Sequence, residues 1–168
     1  MPITLIGGGS RSGKSRYALE LARKTGGRLA FVATAQAFDD EMRDRISRHR
    51  TERGWDFETF EEPIHLDCVI AQLREYDAVV VDCLTLWLSN LMLAQQDDFR
   101  AHANRLIHAC ESAKGRVVLV TNEVGAGIVP DNALAREFRD QAGWLNQQVA
   151  ERAQSVYWMV FGIPLQVK

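Results

Sequence analysis

Gly8, Gly9, Ser10, Arg11, Ser12, Gly13, Lys14 and Ser15 fit the pattern GxxxxGK[ST], and each residue type has a chemical reason to be there. Glycines let the backbone turn tightly so that successive N–H groups face a chain of phosphates. The Lys14 ammonium neutralises the β and γ oxygens, and the Ser15 hydroxyl ligates Mg²⁺. The context is the one this cradle requires, with an apolar strand before it and helical spacing after it. The second half of such a site is an acid at the tip of a buried strand. Ala78-Val79-Val80-Val81-Asp82 supplies one, with Asp82 placed to hold Mg²⁺ directly or through water. A strand-ending Asp also serves as a helix cap, and the cradle in the same chain favours the metal role. At 121–124, Thr-Asn-Glu-Val lacks the lysine of the guanine-reading Asn-Lys-x-Asp motif, which argues against a regulatory GTPase.

His49 lies in RDRISRHRTERG, among Arg43, Arg45, Arg48, Arg50 and Arg53. If residues 39–53 form a helix, Met42, Ile46, His49 and Arg53 share one stripe, and the histidine finishes an apolar face. The arginines point the other way. Cations near an imidazole favour its neutral, nucleophilic form, and guanidinium groups hold phosphates by charge-assisted hydrogen bonds. Asp39, Asp40, Glu41, Asp44 and Glu52 roughly balance those cations, so a solvated helix laced with ion pairs stays open. His65, His102 and His108 read as structural or surface residues.

The elements that must position these groups are legible as an alternation. Apolar runs rich in β-branched residues at 3–7, 28–34, 78–82, 116–121 and 155–162 predict strands. Helical spacing predicts helices over 14–24, 39–53, 64–76, 84–93, 97–114 and 131–154. Near-continuous apolar strands alternating with helices imply an α/β fold, a mostly parallel sheet covered on both faces. The tail differs, because Gly162 to Pro164 is too short for a crossover helix. It predicts a hairpin whose last strand runs antiparallel to the rest. The loop 122–130 follows a buried strand, and its two glycines permit either close substrate approach or a plain connection.

With 168 residues, 46% apolar content and no linker or repeat, residues 1–168 are expected to form one domain. A net charge of −2 gives no basic field, so nucleic acid is not an expected partner. Cys68, Cys83 and Cys110 are widely spaced and odd in number, which argues against a disulfide framework or zinc site and fits reduced thiols in the cytoplasm. The N-terminal residues do not read as a signal peptide, and the most apolar stretch, 78–94, is interrupted by Asp82 and too short to span a membrane.

The ordered set GGGSRSGKSRYALELA, FVATAQAFDDEMRDRISRHRTERG, VVVDCLTLWLSNLM, TNEVGAGIVPDNALAREFRDQAGWLNQQVAERA and VFGIPLQVK closely resembles the bifunctional adenosylcobinamide kinase/adenosylcobinamide-phosphate guanylyltransferase family of cobalamin biosynthesis. The resemblance runs over nearly the whole chain. It implies a P-loop NTPase fold of the RecA-like kind and two reactions. One phosphorylates adenosylcobinamide with ATP or GTP. The other moves GMP from GTP, through a covalent histidine, to adenosylcobinamide phosphate, giving adenosyl-GDP-cobinamide and pyrophosphate. The histidine it implies falls on His49, the neighbouring position being Arg48. It further implies nucleotide contacts at Ala33, Thr34 and Ala35, at Arg50, Thr51, Glu52 and Arg53, and at Glu61, beside an equally capable Glu62. It also implies a homotrimer. Two other readings of the residues stand beside it: a simple P-loop small-molecule kinase with a structural His49, and a nucleotide-binding module without turnover.

Overall fold

The computed structural model describes residues 3–36, 54–95 and 98–168; the helix expected over 39–53, with His49, Arg50, Thr51, Glu52 and Arg53, lies outside them. The described elements are β1 (Ile3–Gly8), α1 (Lys14–Arg23), β2 (Leu29–Ala33), β3 (Phe57–Glu61), α2 (Leu66–Gln72), β4 (Ala78–Asp82), α3 (Leu84–Leu93), α4 (Phe99–Ser112), β5 (Arg116–Val120), α5 (Ala133–Arg152), β6 (Ser155–Val160) and β7 (Ile163–Gln166).

The seven strands form one sheet in the order β3-β2-β4-β5-β1-β6-β7. Every neighbouring pair is parallel except β6 and β7, which close as the expected antiparallel hairpin. Residues in β1 and β4 are buried almost throughout because both faces are covered, and side-chain alternation sorts them into two cores. Ile3, Leu5, Val79, Val81, Val117 and Leu119 pack against α2, α3, α4 and α5. Ile6, Phe31, Val80, Val118 and Val120 pack under Ala18, Leu19, Leu21 and Ala22 of α1.

Two local differences from the sequence reading have physical causes. β3 is not among the expected strands, because FETFE contains no apolar run: only Phe57 is fully buried, as suits a strand at the sheet edge. α2 is shorter than the expected 64–76. Glu62 accepts from the N–H groups of Ile64 and His65, both at 2.8 Å, so the chain is still turning there and the helix begins at Leu66. Among the described residues, no helix is long and apolar enough to cross a membrane.

Candidate functional site

The cradle is the β1–α1 turn, and its shape depends on two glycines. Gly8 has φ 148° and Gly13 φ 92°, conformations that side-chain-bearing residues rarely adopt. A Cβ on Gly8 would come within 2.9 Å of Ser12 Oγ and 3.0 Å of the Met159 carbonyl oxygen. Gly13 begins α1 in the left-handed region, and its carbonyl accepts from Tyr17 N–H at 3.0 Å. Gly9, Ser10 and Arg11 form the exposed crest of the loop, while Ser12 and Ser15 are half-buried. Lys14 is only 6% exposed, and its Nζ donates to the Gly9 carbonyl and, at 3.4 Å, to Ser12 Oγ. The ammonium therefore reaches back from the first helical turn across the hollow of the loop. A buried cation needs such acceptors, and phosphate oxygens are the stronger ones.

Strand register assembles the next group. Glu61 pairs with Ala33, Ala33 with Asp82, Asp82 with Val120, and Val120 with Ile6, so these residues form one row across the sheet. Ala33, Val120 and Ile6 belong to the core under α1, and residues paired in register share a face. Asp82 thus lies on the face carrying α1 and Ser15, two strands from β1. Among the described residues, no group of three or more His, Cys, Asp or Glu converges as a metal cluster. A hydroxyl and a carboxylate on neighbouring elements instead suit a hard cation completed by phosphate oxygens and water.

Thr34 is fully buried. Its hydroxyl donates to the Cys83 carbonyl at 2.8 Å and accepts from Cys83 N–H at 2.7 Å, tying the end of β2 to the turn after Asp82. Asn90, buried in α3, donates to the Thr34 carbonyl at 2.8 Å and to the Pro63 carbonyl at 3.2 Å. Burial, then the Asp82 carboxylate, pushes the Cys83 thiol up to about 11, so it remains uncharged at neutral pH. Ala33 and Ala35 are half-buried and Glu61 is exposed.

The loop 122–130 is tied to the cradle: Glu123 N–H donates to the Gly8 carbonyl at 3.1 Å. Behind it Thr121 donates to Asn146 Oδ1 at 2.8 Å, and Asn122 N–H donates to Thr85 Oγ1 at 2.7 Å. Val124, Ile128, Val129 and Leu134 are exposed on and beside the loop. His65 and His108 are exposed; His102 is buried, and burial followed by Arg105 lowers its pKa, so it is neutral. The sequence reading missed Phe161 and Gly162, which border the cradle. The only signal was a Phe-Gly pair in a short hairpin turn.

Residues 4–167 match the family described as cobinamide kinase / cobinamide phosphate guanyltransferase. The chain is 44% identical over 167 residues to the bifunctional adenosylcobalamin biosynthesis protein CobP of Pseudomonas aeruginosa, covering 98% of this chain and 96% of that one. It is 42% identical over 179 residues to CobU of Salmonella typhimurium, covering 98% of each. Among solved structures, the RadB recombinase matches with a TM-score of 0.57 at 18% identity, covering 94% of this chain and 73% of that one. The flagellar accessory protein FlaH of Methanocaldococcus jannaschii matches at 0.54 and 11% identity, covering 99% and 78%. These structural likenesses establish a RecA-like P-loop fold.

Proposed function

The chain belongs to the cobinamide kinase / cobinamide phosphate guanyltransferase family, and from that premise we propose that one phosphate cradle, residues 8–15, serves both reactions, with His49 as the covalent nucleophile of the second. The protein is an adenosylcobinamide kinase and adenosylcobinamide-phosphate guanylyltransferase of adenosylcobalamin biosynthesis. In the kinase step the acceptor hydroxyl oxygen bonds to the γ-phosphorus of ATP or GTP. The bond to the β-phosphate oxygen breaks, the nucleoside diphosphate leaves, and the hydroxyl proton passes to solvent. In the second reaction a neutral His49 nitrogen attacks the α-phosphorus of GTP and pyrophosphate leaves. An oxygen of adenosylcobinamide phosphate then attacks the phosphoramidate, breaks the P–N bond and restores the imidazole.

The observation that carries this reading is the Lys14 ammonium, buried across a loop that Gly8 and Gly13 hold in positive-φ conformations. Ser15 and Asp82 would hold Mg²⁺, which when bound offsets charge on the phosphates. Ala33 and Ala35 contact the nucleotide on the β2 side, and Thr34 positions the turn that carries Asp82. Glu61, in one row with Ala33 and Asp82, reads guanine. Arg50, Thr51, Glu52 and Arg53 flank the nucleophile and bind phosphate and ribose.

Two separate apolar patches support a homotrimer, one on the hairpin (Trp158, Val160, Ile163, Leu165) and one at the loop (Val124, Ile128, Val129, Leu134). A closed ring needs two different surfaces per subunit. Free Cys68, Cys83 and Cys110 support a reducing compartment, the cytoplasm.

The test is incubation of the protein and of His49→Ala with Mg²⁺ and GTP labelled at the α-phosphate, followed by denaturation. Label that is acid-labile and base-stable, present only on the unmutated protein, is the expected result. Label retained by His49→Ala moves the nucleophile elsewhere. No label on either protein, with GTP binding intact, leaves a simple kinase.

A further inference from the structure

The β6–β7 hairpin ends at Phe161 and Gly162, and its tip is seated on the phosphate loop. Gly162 N–H donates to the Ser12 carbonyl at 3.1 Å. A Cβ on Gly13 would lie 3.3 Å from Gly162 Cα, and the Met159 carbonyl and Cβ close against Gly8. From this tip an open cleft of about 590 Å³ runs along α1, bordered by Arg11, Ser12, Arg16 and Phe161 near the tip and by Glu20 and Arg23 farther along the helix. Phe161 is 97% exposed and has φ 51°, a left-handed backbone conformation uncommon for a bulky residue. Its ring contributes nothing to either core. The turn thus holds an aromatic face in water beside a phosphate cradle and the guanidinium groups of Arg11, Arg16 and Arg23.

We infer that this cleft is a nucleobase subsite, in which Phe161 stacks on the purine of a nucleoside triphosphate whose phosphates occupy residues 8–15. This rests on the reading above that the cradle holds a nucleoside triphosphate, and it adds where the base of the phosphoryl donor lies. β6 is the strand next to β1 on one side, whereas β2 and β3, which carry Ala33 and Glu61, are three and four strands away on the other. With neighbouring strands about 4.8 Å apart, β2 and β6 are separated by roughly 19 Å. One purine cannot lie at both. A guanylyl donor must bring its α-phosphorus to the nucleophile that follows β2 in the chain, and its base goes to the β2–β3 side. A phosphoryl donor need present only its γ-phosphorus, which leaves its base on the hairpin side. The shared cradle therefore accepts two nucleotide poses, and Phe161 belongs to the kinase pose. Stacking reads the π-face of a base and not its edges, so this subsite accepts adenine and guanine alike.

Phe161→Ala and Phe161→Trp test the subsite by steady-state phosphorylation of adenosylcobinamide with ATP and with GTP, alongside protein labelling by α-labelled GTP without acceptor. Loss of a stacked base costs about tenfold in binding, so Phe161→Ala raises KM for both nucleotides to that extent, with kcat little changed and labelling unaffected; Phe161→Trp restores KM. Unchanged KM overturns the subsite, and so does labelling that falls in parallel with KM, since one pose then serves both steps. A changed subunit number for Phe161→Ala in light scattering also overturns it, by making the ring an interface residue. If the unmutated protein makes neither phosphorylated product nor adduct, the functional reading itself fails; if it makes both while the variants behave like it, only the subsite does.

Discussion

A single oxygen, Thr34 Oγ1, bonds both backbone groups of Cys83 from the neighbouring strand, 49 residues away in the chain. Thr34→Val keeps the shape and removes the hydroxyl, leaving the buried Cys83 N–H unpaired while the Cys83 carbonyl keeps its bond from Trp87 N–H at 3.1 Å, at a cost of about 1–3 kcal/mol. The expected outcome is a lower urea midpoint with unchanged slope. Because the turn carries Asp82, phosphorylation at saturating nucleotide also slows; a variant that keeps both stability and kcat would show the strut to be dispensable. Such a residue is hard to read from sequence. The cradle is legible because its chemistry is written in eight consecutive residues, but nothing near Thr34 announces a partner in another strand. Glu61 and Glu62 make the same point, since they are equivalent as letters. Only the bonds from Ile64 and His65 show that Glu62 braces the loop, whereas Glu61 closes β3 in register with Ala33.

At the scale of elements, periodicity served where burial was two-sided and failed where it was one-sided. β1, β4 and β5 read as apolar runs because helices cover both faces. β3 pairs only with β2, and its exposed positions carry Glu58, Thr59 and Glu61, so the apolar signal was too thin. The hairpin was legible from the short connection, but its docking on the phosphate loop was not, because Gly162 and Ser12 meet only in three dimensions. That docking gives Gly13 a double constraint, a positive φ and a 3.3 Å approach to Gly162. Gly13→Ala is therefore expected to destabilise the fold by about 1–3 kcal/mol through backbone strain alone. It also displaces loop and hairpin tip together, so GTP affinity measured by calorimetry falls more than heat stability does. Unchanged affinity would mean that the loop adapts without the hairpin.

For the molecule as a whole, the proposed homotrimer draws on the uneven cover of the sheet. Tyr157 and Met159 of β6 face α1, so by alternation Trp158 and Val160 face the other side, in register with Leu165 and Ile163 of β7. On that side α2 to α5 cover the middle of the sheet and reach Val156 at the base of β6, while Trp158, Val160, Ile163 and Leu165 toward the tip stay exposed. Ile163 and Leu165 remain 68% and 55% exposed, although burying such a side chain is worth about 1.5–3 kcal/mol. Ile128, 97% exposed, stands on the other patch, in the loop after β5. If hairpin of one copy meets loop of the next, the contact is heterologous, and three such contacts close a ring. Leu165→Lys spoils one half of every interface and Ile128→Lys spoils the other half, so each variant alone is expected to be monomeric by light scattering. Mixed together, they still share one unspoiled pairing, the hairpin of Ile128→Lys with the loop of Leu165→Lys. The mixture should form a dimer and go no further. Were hairpin to pair with hairpin instead, Ile128→Lys alone would stay associated and mixing would rescue nothing, because a self-complementary contact loses both halves with the Leu165 substitution.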